Sequence, residues 1–212
     1  MCSAGTNVLY NPMSICPAGY YCKTNIQTQC PAGTYSTRTG ISASTQCIAC
    51  PAGYYCVLGT TDYTVNVCPA GYYCPEGSSV GTTNGCPSGT FSTATGMKSS
   101  SECTICPVGY YCLSGSIVPV ACPAGTYSSR ISVVALVDGA SRGCIACPAG
   151  YYCADSPTFE PVACPAGSYS AASATSCTLC PVNTYCDKIA TTSTGISTIP
   201  NGFYYAGGPG LA

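Results

Sequence analysis

The chain has 212 residues with a net charge of −1, only 6% of them charged, no His, no Trp and 21 Cys. Six scattered Lys and Arg cannot build the basic stripe that a nucleic-acid partner requires. The lack of His, of a nucleophile–base set and of paired carboxylates predicts no catalytic residue, no cofactor and no enzyme. Cysteine at nearly one residue in ten instead marks a secreted or extracellular disulfide scaffold. The 18 Tyr, set against three Phe, suit thin modules whose rings are half-buried.

Residues 1–15 read as a degenerate half-repeat. Cys2 opens a CSAGT that echoes the motif below, and Met13 stands where a further Cys would be expected. This start lacks the basic residues and apolar run of a signal peptide, which predicts a mature chain or a segment of a longer one. No run approaches the length of a membrane span.

From Cys16 the chain is dominated by one motif. CPAGYYC occurs at Cys16–Cys22, Cys50–Cys56, Cys68–Cys74 and Cys147–Cys153, with variants CPVGYYC at Cys106–Cys112 and CPVNTYC at Cys180–Cys186. A second form lacks the closing Cys: CPAGTYS from Cys30, CPSGTFS from Cys86, CPAGTYS from Cys122 and CPAGSYS from Cys164. Each second form runs on to a CxxC that opens the next unit. The chain therefore divides into repeat 1 (16–49), an extended repeat 2 with an extra CPAGYYC (50–105), repeat 3 (106–146), repeat 4 (147–179) and a partial repeat with a cysteine-free tail (180–212). Periods of this size indicate modules that mainly touch their neighbours. Pro and Gly in C-P-A-G predict a type I turn, and the aromatic pair after it predicts a short strand. The expected fold is small and disulfide-rich: an elongated, solenoid-like array of short β-hairpin modules with much irregular loop and little or no helix.

Parity suggests a pairing. If each C-x5-C closes on itself, the pairs are Cys16–Cys22, Cys50–Cys56, Cys68–Cys74, Cys106–Cys112, Cys147–Cys153 and Cys180–Cys186. If each second-form Cys meets the first Cys of the next CxxC, the rest are Cys30–Cys47, Cys86–Cys103, Cys122–Cys144 and Cys164–Cys177. Spacing does not fix connectivity, and interlaced pairs such as Cys22–Cys30 stay open. Cys2 is left as an unpaired or intermolecular thiol. The longer loops would each contribute about 3 kcal/mol. Zinc is disfavoured, because His is absent and C-x5-C is not a usual ligand spacing.

The CPAGTYS…CxxCPAGYYC grammar over residues 16–186 resembles the ephrin-receptor-like cysteine-rich repeat, which is related in style to the tumour-necrosis-factor-receptor and growth-factor-receptor modules. The resemblance implies extended, disulfide-laddered ectodomains that serve as spacers, adhesive stalks or ligand-binding receptors, as in surface proteins of protists and algae. The low charge, the near-identical repeats and the lack of a span depart from the receptor members.

Two functions are expected from these features. The first is a structural subunit or segment of an extracellular filament, flagellar hair or surface coat that associates with itself. Its assembly candidates are the apolar insertion Ile131, Val133, Val134, Leu136 and Val137, with a hairpin turn at Asp138-Gly139, and Phe203, Tyr204 and Tyr205 of the tail. Ser and Thr form about a quarter of the chain, and O-linked glycans are expected in loops 36–45, 92–101 and 191–198. No Asn-x-Ser/Thr acceptor is present. The alternative is a ligand-binding or adhesive receptor ectodomain, with residues 155–160 as its patch.

Overall fold

Each motif begins with a tight turn set by its own residues. In the structure, a computed structural model that describes residues 8–9, 15–24, 26–129, 143–186 and 189–198, the N–H of the fifth position donates to the carbonyl of the second-position Pro. Examples are Thr34 to Pro31 at 3.0 Å and Tyr151 to Pro148 at 3.1 Å. Pro thus heads the turn instead of filling its second place, and the glycine falls at the third place with positive φ, +91° at Gly53. That corrects the type I expectation: a positive φ at this place is the requirement of a type II turn. Where the fifth position is Thr or Ser, its hydroxyl adds a bond to the same carbonyl, as from Thr126 to Pro123 at 2.7 Å.

The fifth and sixth positions then form a short strand, which pairs antiparallel with the two residues preceding the next motif. Thr34–Tyr35 pairs with Ile48–Ala49, Tyr110–Tyr111 with Val120–Ala121, Thr126–Tyr127 with Ile145–Ala146, and Tyr151–Tyr152 with Val162–Ala163. Register is constant: Tyr35 opposes Ile48, Tyr111 opposes Val120, Tyr127 opposes Ile145 and Tyr152 opposes Val162. Aromatic and β-branched partners of this kind stabilise short antiparallel pairs. Among the described residues there is no α-helix, only the 3₁₀ turns Ser44–Gln46, Tyr63–Val65 and Ser100–Glu102. No helix there is long and apolar enough to cross a membrane.

The chain forms two compact units. Unit 1 comprises Met1–Pro87, Phe91–Thr104 and Ser114–Val118, and unit 2 comprises Ser88–Thr90, Ile105–Leu113 and Pro119–Ala212. Numbering the motifs 1 to 10 by their first cysteines (Cys16, Cys30, Cys50, Cys68, Cys86, Cys106, Cys122, Cys147, Cys164 and Cys180), each unit is a backbone ladder of stacked motifs. In unit 1 the N–H of each first cysteine donates to the carbonyl of the previous motif's glycine: Cys30 to Gly19, Cys50 to Gly33, Cys68 to Gly53 and Cys86 to Gly71, at 2.8 to 2.9 Å. The same glycines donate forward to the seventh-position carbonyls of Ser36, Cys56, Cys74 and Ser92. Unit 2 repeats the pattern, with Cys122 donating to Gly109, Cys147 to Gly125, Cys164 to Gly150 and Cys180 to Gly167.

A second rail runs alongside. Three or four residues after the seventh position comes a left-handed residue whose N–H donates to the first-cysteine carbonyl of the preceding motif: Gly40 to Cys16, Gly59 to Cys30, Gly77 to Cys50 and Gly96 to Cys68 in unit 1, Ser173 to Cys147 and Ala190 to Cys164 in unit 2. After motif 8 the chain passes through the cis Ser156-Pro157 bond, and the Ser156 hydroxyl donates to the Cys122 carbonyl at 2.7 Å instead. Short strands that could not stand alone are thereby joined in series, and the first-cysteine and glycine backbone groups of the motif find their partners in neighbouring motifs.

The interior is made of sulfur. Apart from Ile41 and Met97, the buried apolar side chains among the described residues are all half-cystines. Apart from Cys22, the seventh position is buried in both forms: Cys56 and Cys74 are fully buried, and so, within a few per cent, are Ser36, Ser92, Ser128 and Ser170. The buried serines find backbone partners, as when Ser170 donates to the Tyr151 carbonyl at 2.8 Å.

Candidate functional site

The described residues contain ten disulfides, and each of the ten motifs holds one through its first cysteine. In the first form it closes on the seventh position: Cys16–Cys22, Cys50–Cys56 and Cys68–Cys74 in unit 1, Cys106–Cys112, Cys147–Cys153 and Cys180–Cys186 in unit 2. In the second form, where Ser fills the seventh position, it reaches the cysteine three residues before the next motif: Cys30–Cys47, Cys86–Cys103, Cys122–Cys144 and Cys164–Cys177. Cα–Cα separations run from 5.7 to 6.3 Å, inside the usual range. The two forms are alternative tethers of one buried sulfur position. This density of closed disulfides is that of extracellular and secreted proteins; the chain is a disulfide-stabilised, β-hairpin protein.

Around this interior many aliphatic side chains are exposed. In unit 2 the residue facing the sixth-position tyrosine is β-branched in three successive hairpins, Val120, Ile145 and Val162, and these are 45%, 41% and 51% exposed. Leu179 and Ile105, one residue before a motif, are exposed as well. In unit 1 the corresponding column is mixed: Thr28 and Asn66 flank Ile48. The exposed aliphatic column is thus a property of unit 2, and the sequence did not reveal it until register aligned Val120, Ile145 and Val162.

Asp155 and residues 157–160 line an open groove of about 560 Å³ in unit 2, shared with Tyr152 and Val162, with Asp155, Phe159 and Glu160 on its wall. Phe159 is 54% exposed. Among the described residues no group of His, Cys, Asp or Glu has the number and placement to hold a metal ion. The remaining sequence candidates, Cys2, Ile131, Val133, Val134, Leu136, Val137, Phe203, Tyr204 and Tyr205, lie outside the described residues.

Sequence reasoning missed the second rail. Its signal is a glycine three residues after a closing cysteine (Gly59, Gly77, Gly115) or four after the equivalent serine (Gly40, Gly96). It also missed Tyr63, whose ring sits 4.8 Å from Tyr35 and 5.1 Å from Tyr54 between centroids. No protein-family model matches the chain, and no curated protein is similar to it in sequence.

Proposed function

We propose that the chain is a structural subunit or segment of an extracellular filament, flagellar hair or surface coat, non-enzymatic, self-associating and O-glycosylated on its exposed Ser and Thr. The observation that carries this reading is the ladder itself. The same backbone bonds recur from motif to motif, while the side chains that vary are mostly small, neutral or apolar. A frame with repeated rails and a sparsely charged surface suits mechanical continuity and lateral packing, since surfaces that stay monomeric usually carry more charge. The ephrin-receptor-like module that the motif resembles implies stalks and spacers of the same character.

Electron microscopy of native material, before and after reductant, tests the reading. Regular filaments with one repeating subunit that dissolve on reduction support it. Particles that stay separate at high concentration overturn it.

One observation favours the alternative of a ligand-binding or adhesive ectodomain: the groove at Asp155, Phe159 and Glu160 breaks the otherwise regular ladder surface. An aromatic wall beside carboxylates suits a cationic ligand. Loss of a bound ligand on Phe159→Ala, with association unchanged, would favour that reading over the first.

A further inference from the structure

Tyr63 stands between two tyrosines from successive motifs. Its ring meets Tyr35 at an interplanar angle of 60° and Tyr54 at 79°, both edge-on. All three belong to unit 1 and all three are half-buried, so each ring is held yet open to a small oxidant. The hold comes from the frame. Tyr35 is in the strand opposite Ile48, and Tyr54 bridges Val67. Tyr63 opens the 3₁₀ turn that Asp62 caps by accepting from the Thr64 N–H at 2.9 Å. The disulfides Cys30–Cys47 and Cys50–Cys56 brace the two motifs.

Packing accounts for aromatic rings here, but the hydroxyl is a separate matter. Phe91 fills the sixth position of motif 5, the place Tyr35 holds in motif 2, so the frame accepts a ring without the phenol. Tyr63 in ring contact with two other tyrosines makes a chemically distinct site in a protein whose disulfides already place it among oxidised chains.

We propose that this triad is a site of oxidative tyrosine coupling, in which Tyr63 joins a neighbouring ring, Tyr35 first and Tyr54 second, as an intramolecular dityrosine. The co-reactant is a peroxide acting through a haem peroxidase. Each of two phenols loses one electron and its hydroxyl proton. The resulting phenoxyl radicals form a C–C bond between ring carbons ortho to the oxygens. The hydrogen on each of those carbons then moves to restore the phenol, so that the pair loses two hydrogen atoms in all and one peroxide becomes two waters. The product is a covalent strap between motif 2 and the loop after motif 3, one that reductant cannot open. The proposal concerns a single chain and does not rest on the filament reading.

The test treats the dilute full chain, disulfides intact, with peroxidase and hydrogen peroxide. The expected result is dityrosine fluorescence from monomer that has lost two hydrogen atoms by intact mass, with the cross-linked peptide containing Tyr63 together with Tyr35 or Tyr54. Tyr63→Phe should lose that product, whereas Tyr152→Phe in unit 2 should keep it. Disulfide mapping of Tyr63→Phe verifies its fold, and the wild-type peptide map stands without any variant. Monomer cross-links that map to other tyrosines, coupling only between chains, or an unchanged yield in a folded Tyr63→Phe overturns the proposal.

Discussion

The carbonyl oxygen of Gly96 occupies the space that a side chain on Gly53 would need: a Cβ built on Gly53 would lie 2.6 Å from it. Gly53 belongs to motif 3, and Gly96 follows motif 5. Gly19, Gly33, Gly53, Gly71, Gly125 and Gly150 are all roofed by the rail two motifs ahead, in addition to bonding the motif next to them, whereas Gly109 is covered by the side chains of Pro157 and Phe159. In unit 2 the Ser173 carbonyl lies at the same 2.6 Å from a Cβ on Gly125. Sequence repetition at this position reflects three layers of backbone in contact.

Gly53→Ala should accordingly be among the most damaging single changes. It combines a φ of +91°, which costs about 1–2 kcal/mol for any L side chain, with a collision against backbone that cannot move aside. Overpacking adds about 1–3 kcal/mol. Gly96→Ala shares the left-handed backbone, but its Cβ would meet Val67 Cγ1 at 3.5 Å and the Gly53 carbonyl oxygen at 3.9 Å, both ordinary contacts, so only the first cost applies. Denaturant midpoints under non-reducing conditions check the order; equal losses for the two variants would refute the roofing argument.

The reverse substitution should help in unit 2. Ser173 and Ala190 hold the left-handed rail position, at φ of 61° each, that Gly40, Gly59, Gly77, Gly96 and Gly115 fill elsewhere. Ala190→Gly keeps its N–H bond to the Cys164 carbonyl at 2.8 Å and removes the Cβ conflict. A gain of about 1 kcal/mol is expected, read as a higher melting temperature. A lower one would show that chain entropy outweighs the backbone preference at this site.

How far the sequence disclosed this architecture depends on the distance over which each residue acts. The motif, the hairpin character and the absence of long helices follow from C-P-x-G, from aromatic pairs and from spacing, all local properties. The turn was read one residue early because proline at the second place of a turn is the commoner pattern. Only the bond from Thr34 to Pro31 and its equivalents show proline at the head. The rails were hidden for a different reason: Gly59 and Cys30 are joined by a hydrogen bond 29 residues apart, and nothing local in either residue announces the other. The Tyr35–Tyr63–Tyr54 cluster is likewise a product of stacking. The groove at residues 155–160 was visible only as an unusually charged stretch.

Disulfide loss should scale with the loop closed. Cys30–Cys47 spans a sequence separation of 17 and Cys50–Cys56 one of 6, in adjacent motifs of unit 1. Replacing the first pair by Ser should cost about 1 kcal/mol more than replacing the second, from loop-closure entropy alone. The first cysteines of the two pairs are both fully buried, but Cys47 is half-buried where Cys56 is fully buried. An equal or inverted order in chemical denaturation would mean that native packing of the sulfurs, not chain entropy, dominates.

Acid should loosen the turn that holds Tyr63. The Thr64 hydroxyl and backbone N–H, donating to Asp62, hold its carboxyl below the usual carboxylate value. A folded-state pKa lower than the unfolded one means the cap's contribution is complete above the unfolded value and is lost as pH falls through the folded one. The Thr64 amide and the Tyr63 ring resonances should therefore shift together in an NMR titration, below the range of an ordinary Asp. A Tyr63 ring that stays fixed while Asp62 titrates would separate the cap from the tyrosine cluster.

The aliphatic column of unit 2 gives the assembly reading its sharpest test. Val120, Ile145 and Val162 face solvent opposite Tyr111, Tyr127 and Tyr152. In the ninth motif the same place opposite Tyr169 is held by Thr178, so the hairpin accepts Thr without losing register or β preference. The triple variant Val120→Thr, Ile145→Thr, Val162→Thr should then fold with all ten described disulfides. If the column is covered by a neighbouring chain, removing about 1 kcal/mol of apolar burial at each site weakens association by about two orders of magnitude. Sedimentation of the two proteins over a concentration series measures this directly. Unchanged association by a correctly folded variant would take the column out of the interface and leave the lateral contact to other faces of the ladder.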